Sequence, residues 1–204
     1  MFDAVADYVT QRQCEFGSID VSRRTLLDEL SRYIRQRRMS GETARLIFVC
    51  AHNSRRSHMA HLWAVVAAAV YGLDVATFSG GTEATAFNPG AVAALERAGF
   101  RIEKTSAGDN PTYVVRFSEK QPGITCFSKK FDAAPNPKAD FAAVMVCGEA
   151  DTACPAVAGA SARFSIPFVD PKVSDGTPQE AATYDERCAQ IAREMLYVMS
   201  RVAN

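Results

Sequence analysis

The chain has 204 residues, of which 48% are hydrophobic and 23% charged. This composition is typical of a globular protein and excludes an intrinsically disordered chain. Because 23 basic and 23 acidic residues cancel, neither nucleic acid nor a membrane surface is expected as a partner. The longest nearly apolar run, residues 62–73, is far shorter than the roughly 20 residues of a spanning helix. With no cationic start of a signal peptide, we expect a cytoplasmic protein.

Residues 1–43 are predicted to form a helical extension. Apolar side chains recur at helical spacing over residues 2–9 and again over residues 26–34, with Gly17 and Ser18 between the two stripes. This pattern indicates two helices separated by a turn.

Residues 44–204 are predicted to form one α/β domain. Continuous apolar runs of strand length alternate with amphipathic helices, a pattern typical of a doubly wound parallel sheet with helices on both faces. The predicted strands, about four in all, are 44–50, 74–81, 141–148 and 162–170. Pro167 weakens the last strand at its centre. Residues 104–140 are predicted to be a long excursion with one short strand over 123–127.

A cysteine and an arginine follow the first predicted strand, where ligands bind in such sheets. Cys50 ends the strand, Arg56 stands six positions later in the segment AHNSRRS, and a predicted helix follows this segment. The loop between them consists of Ala51, His52, Asn53, Ser54 and Arg55. A loop of this length can turn its backbone N–H groups inward at a helix N-terminus, which makes a cradle for a tetrahedral oxyanion. Arg56 can bind two oxygens of that anion.

The residue types in this loop also suit nucleophilic chemistry. The positive surroundings favour the thiolate form of Cys50. Asn53 tolerates the left-handed conformation that a tight loop requires. Ser57 is placed to form a hydrogen bond with the thiolate.

Two more cysteines and an aspartate are predicted at the same edge of the sheet. Cys147 closes the strand over 141–148, and Cys154 follows in a small, polar segment. We interpret them as a pair of resolving thiols; the alternatives are two buried structural cysteines or half of a zinc site. Asp170 closes the last strand, where a proton donor to a leaving group is needed. No metal or cofactor is expected.

Four motifs together resemble the low-molecular-weight tyrosine phosphatase superfamily and, within it, the thioredoxin-coupled arsenate reductases. They are FVCAHNSRRSHMA, FSGGTEATAFNPGAVAALERAGF, CGEADTACP and FVDP. The resemblance implies that Cys50 is the nucleophile, that Arg56 and the 51–56 backbone hold the oxyanion, and that Asp170 is the general acid. It also implies that Cys147 and Cys154 form a redox relay, with a thioredoxin-like protein as reductant.

Three functions are consistent with these residues. The first is reduction of arsenate to arsenite through Cys50, Cys147 and Cys154. The second is hydrolysis of phosphotyrosine or another aryl phosphate through a phosphocysteine, which needs only Cys50, Arg56 and Asp170. The third is a sensor of redox state or oxyanions without turnover. Lys172 stands where the phosphatases usually carry an aromatic residue, which weakens the phosphotyrosine interpretation.

Overall fold

A computed structural model describes residues 1–153 and 156–203. The strands are β1 (Ala44–Cys50), β2 (Val75–Gly81), β3 (Arg101–Lys104), β4 (Tyr113–Arg116), β5 (Ile124–Cys126), β6 (Phe141–Met145) and β7 (Ala160–Ser165). The α-helices are α1 (Asp3–Cys14), α2 (Val21–Met39), α3 (Arg56–Val70), α4 (Pro89–Arg97), α5 (Gly148–Ala153) and α6 (Glu180–Ala203). Short 3-10 turns cover Phe16–Ser18 and Pro171–Ser174.

The predicted fold class is confirmed, because four parallel strands in the order β2-β1-β6-β7 form a sheet flanked by helices. β1 lies at the centre and pairs with β2 from Ala44 opposite Val75 to Cys50 opposite Gly81. All five residues of β6 are buried, as expected for a strand covered on both faces. The parallel arrangement brings the ends of β1, β6 and β7 to one edge.

Two predicted strands are shorter than expected at their carboxyl ends. β6 ends at Met145, so Cys147 lies two residues beyond it, and β7 covers 160–165 rather than 162–170. Backbone bonds to the β6 segment continue past Pro167, since Ile166 N–H donates to the carbonyl of Met145 at 2.9 Å and Phe168 N–H donates to that of Val146 at 3.0 Å. The nitrogen of Pro167 faces the free edge of the sheet, where a proline is tolerated. Asp170 therefore belongs to the segment after the strand.

The excursion over 104–140 contains more structure than its sequence predicted. The expected short strand is present as β5, but β3 and β4 were missed; the three form a separate antiparallel sheet. The chain then returns beside β2, where Gly81 N–H donates to the carbonyl of Lys129 and Phe131 N–H donates to that of Gly81, both at 2.9 Å. This return places residues 128–131 next to the end of β1.

The two predicted N-terminal helices are present as α1 and α2, and both pack against α6. Their buried residues include Val5, Val9, Leu27, Leu30 and Ile34. These side chains belong to the same hydrophobic core as β1. Burial of this stripe explains why a segment rich in arginine folds against the rest of the chain.

None of the helices within residues 1–153 and 156–203 combines the length and the apolar character needed to cross a lipid bilayer.

Candidate active site

Cys50 ends β1 and begins the loop for which the sequence predicts oxyanion binding. The residue is buried, with 3% exposed, and its Sγ lies 3.1 Å from the Oγ of Ser57. Ser57 is in the first turn of α3, which has 15 residues and begins at Arg56. The thiol thus lies at the N-terminal end of a helix, where the helix dipole favours negative charge.

The loop carbonyls point outward. Those of Cys50, Ala51 and Ser54 each accept a backbone hydrogen bond of 2.8–3.1 Å from outside the loop. The donors follow β2 in sequence and are Thr82, Glu83 and Asn88. With these carbonyls turned outward, the loop backbone has the general form of the concavities in which successive N–H groups bind anions.

Asn53 holds the loop from within. It is completely buried and has a φ of 43°, in the left-handed region that asparagine tolerates. Its Nδ2 donates to Ser57 Oγ at 2.8 Å, and its Oδ1 accepts from Lys129 N–H at 2.9 Å. The amide therefore fixes the hydroxyl that contacts the Cys50 sulfur.

Gly81 allows the loop to pack against the end of β2. A Cβ at this position would lie 2.3 Å from the carbonyl oxygen of Glu83 and 2.6 Å from the backbone nitrogen of Asn53. Both are backbone atoms, which cannot rotate away as a side chain does. A glycine is required here by close approach of two backbones.

Arg56 and Asp170 face each other beside the loop. Arg56 Nη1 donates to the carbonyl of Phe168 at 3.0 Å, and Nη2 donates to Asp170 Oδ2 at 2.6 Å. Arg56 is 7% exposed, and its buried Nε has no acceptor among the described residues. A buried donor without a partner costs free energy, and an oxyanion oxygen would satisfy it.

A second arginine joins the loop to the segment that carries Asp170. Arg55 donates from Nε to the hydroxyl of Tyr184 at 2.7 Å and from Nη2 to Asp175 Oδ2 at 2.9 Å. Tyr184 in turn donates to Asp175 Oδ1 at 2.8 Å. These three residues tie the loop, α6 and the turn after Asp170 together; the sequence analysis placed Arg55 in the loop but did not predict this arrangement.

Cys147 lies directly beside the loop. It is completely buried, and its sulfur accepts a hydrogen bond from the N–H of Ala150 at 3.3 Å. The preceding Val146 N–H donates to the carbonyl of Val49 at 2.8 Å, which places Cys147 beside the end of β1. Burial raises the pKa of Cys147, the Ala150 N–H and the Arg56 charge oppose that rise, and the nearby Cys50 adds to it. The Cys147 thiol therefore lies within electrostatic range of both Arg56 and Cys50.

Residues 128 and 129 support the loop from outside, and sequence reasoning missed them. Ser128 Oγ donates to the carbonyl of His52 at 2.9 Å, and Lys129 N–H donates to Asn53 as described above. The signal that would have found them is the polar FSKK segment after the short strand over 123–127.

The structure brings together Cys50, the loop 51–56, Ser57, Cys147 and Asp170. Cys154 lies outside the described residues. The neighbouring histidines belong to the core, since His58 stacks on Phe87 with ring centres 4.1 Å apart and His61 Nδ1 lies 2.8 Å from Thr77 Oγ1.

A four-stranded parallel sheet flanked by helices, with a cysteine loop between its central strand and a helix, is the fold of the low-molecular-weight phosphatases. Solved structures agree on the fold. A low-molecular-weight phosphotyrosine phosphatase from Vibrio cholerae is 12% identical to this chain, with a TM-score of 0.51. The superposition covers 77% of this chain and 94% of that chain. An arsenate reductase in the phosphate-binding state is 18% identical to this chain, with a TM-score of 0.50. The superposition covers 78% of this chain and 99% of that chain.

Comparison of sequences identifies the family. No protein-family model matches the chain. A curated arsenate reductase from Halalkalibacterium halodurans is 30% identical over 135 residues, which cover 66% of this chain and 79% of that protein. The chain belongs to the arsenate reductase family, and it shares its fold with the low-molecular-weight phosphotyrosine phosphatases.

Proposed function

We propose that this protein reduces arsenate to arsenite in the cytoplasm through a relay of Cys50, Cys147 and Cys154. The observation that carries the proposal is the place of Cys147, a buried thiol next to Val146, whose N–H donates to the carbonyl of Val49 at 2.8 Å just before Cys50. It puts a second thiol against the loop of the nucleophile. Hydrolysis of a phosphate ester has no use for such a thiol, whereas reduction requires it.

In the first step, the Cys50 thiolate attacks arsenic(V) held by the loop. A sulfur–arsenic bond forms and an arsenic–oxygen bond breaks. Asp170 donates a proton to the departing oxygen, which leaves as water. Arg56 and the loop N–H groups bind the remaining oxygens, because the negative charge is concentrated there.

In the second step, the Cys147 sulfur attacks Cys50 Sγ. A disulfide forms between the two cysteines, and the sulfur–arsenic bond breaks with its electron pair remaining on arsenic. Arsenic(V) is thereby reduced to arsenic(III) and leaves as arsenite, while two thiols are oxidised.

In the third step, Cys154 attacks the sulfur of Cys147 and releases Cys50 as a thiol. The disulfide now joins Cys147 and Cys154. A dithiol protein of the thioredoxin type reduces it, and its own two thiols become a disulfide. Gly148, the first residue of α5, follows Cys147 directly, and a Cβ at this position would meet nothing within 4 Å.

Cysteine variants test the relay against hydrolysis. Cys147→Ser is expected to abolish arsenite production. Cys154→Ser is expected to release one arsenite per enzyme and to trap the Cys50–Cys147 disulfide, which mass spectrometry detects. Cys14→Ser, at an exposed cysteine, is the matched control and should retain full turnover.

The competing function uses the same Cys50, Arg56 and Asp170 to hydrolyse an aryl phosphate through a phosphocysteine. Water completes that reaction, so it should survive both relay substitutions. Undiminished repeated arsenate turnover in Cys147→Ser and Cys154→Ser, with thioredoxin as sole reductant, would refute the relay. Release of phosphate from an aryl phosphate without arsenate reduction would favour the phosphatase.

A further inference from the structure

Lys129 is a buried cation that the proposed mechanism does not use. The residue is 7% exposed, whereas the adjacent Lys130 is exposed. Its backbone is fixed on both sides, because its N–H donates to Asn53 Oδ1 and its carbonyl accepts from Gly81 N–H, both at 2.9 Å. Asn53 belongs to the anion-binding loop, so Lys129 is attached directly to that loop.

The side chain of Lys129 is surrounded by neutral groups. Its Nζ lies 4.8 Å from the centre of the Phe127 ring. Burial raises the pKa of Cys126 to about 12, lowers that of His61 to about 3 and lowers that of His58 well below its usual value. At neutral pH these three groups are therefore uncharged.

The positive charge of Lys129 has no carboxylate beside it within the described part of the chain; Cys126 is the titratable side chain that acts on its pKa, which burial lowers. The charge also acts on His58 and His61, which lie in the first two turns of α3. It thus lies near the positive end of a helix dipole, an unfavourable place for a cation. Burying an ammonium without a counter-ion costs further free energy.

This arrangement becomes favourable when an anion occupies the loop. We propose that Lys129 is a positioning residue that strengthens the binding of doubly charged tetrahedral oxyanions, through the bond from its backbone N–H to Asn53 of the loop and through its buried positive charge. The inference rests on the proposed function in one respect, namely that the loop binds an oxyanion. It adds a charge preference, because the Coulomb energy of a fixed cation with a dianion is twice that with a monoanion.

Sulfate and perchlorate separate the effect of charge from that of shape. Both anions are tetrahedral, but sulfate carries two negative charges and perchlorate carries one. We suggest isothermal titration calorimetry of the wild-type protein, Lys129→Met and Lys130→Met with each anion. For Lys129→Met we expect sulfate affinity to fall on the order of tenfold and perchlorate affinity to fall about threefold. Lys130→Met, the matched control at an exposed site, should bind both anions within about twofold of wild type.

Thermal unfolding without anion gives a second readout. Removing an unpaired buried charge should leave the unfolding temperature of Lys129→Met equal to or higher than that of wild type. Lys129→Arg keeps the charge and should retain most of the sulfate affinity. If Lys129→Met does not fold, Lys129→Gln serves the same comparison.

Three results overturn the inference. Sulfate affinity in Lys129→Met equal to wild type removes the role of the charge while leaving oxyanion binding intact. Equal losses for sulfate and perchlorate, with a lower unfolding temperature, assign a structural role instead. Absence of sulfate, phosphate and perchlorate binding by the wild-type protein rejects the oxyanion site, and with it the proposed function.

Discussion

Asp170 accepts a 2.6 Å hydrogen bond from Arg56, although the two residues are 114 positions apart in the sequence. The second carboxylate oxygen of Asp170, Oδ1, accepts a hydrogen bond from the N–H of Lys172 at 3.1 Å. Its carboxylate is therefore held at the rim of the anion-binding loop by the arginine that would bind the same anion. This relationship joins the proposed acid to the proposed oxyanion site.

Asp170→Asn is expected to separate binding from turnover. The amide retains the size of the carboxylate but cannot donate the proton to the leaving oxygen, so kcat should fall by about 10²–10⁴. The loop and Arg56 remain, so phosphate should still compete with arsenate. Steady-state kinetics with phosphate as inhibitor measure both quantities. A variant with wild-type kcat across pH would leave Asp170 as a turn residue.

Gly81→Ala is expected to damage the loop. Its Cβ would collide with the backbone of Glu83 and Asn53, so one of these segments must shift. The free energy of unfolding should fall by about 2–3 kcal/mol, and anion binding should be lost along with it. Urea unfolding and calorimetry measure the two effects.

Gly17→Ala provides the control for that substitution, because a Cβ there meets nothing within 4 Å. It should leave both the unfolding free energy and anion binding unchanged. Equal behaviour of the two variants would show that the close approach at Gly81 has no functional consequence.

The release of arsenite in a single turnover should accelerate with pH. Burial raises the pKa of Cys147, so at neutral pH this residue is mostly the unreactive thiol. Below that pKa the thiolate fraction, and with it the rate of attack on Cys50, should rise about tenfold per pH unit. Rapid quenching of Cys154→Ser at saturating arsenate, over pH 6–9, measures this. A flat profile would mean that thiolate formation at Cys147 does not limit the step.

The strands and helices of the central sheet were predictable because their patterns are local. The continuous apolar run over 44–50 has to be covered on both faces, and Asn88 before Pro89 marks a helix start, which the structure realises through bonds from Gly90 and Ala91 N–H to the Asn88 side chain. β3 and β4 escaped prediction because each has only four residues, too few for an alternating pattern to be recognised in the sequence. Their pairing also joins segments on either side of residues 105–112.

The features of the candidate site likewise fall into those that local sequence determines and those that depend on distant parts of the chain. The sequence by itself determined the chemical groups, since Cys50, Arg56, Asn53 and Ser57 lie within eight consecutive positions whose order suits an anion loop at a helix start. Only the tertiary structure decided what surrounds them. Cys147 and Asp170 were expected at the same edge of the sheet, but their contacts with the loop depend on sheet order, and the place of Lys129 depends on the path of residues 104–140. Burial and charge at one point in space are sums over such segments, which no local pattern contains.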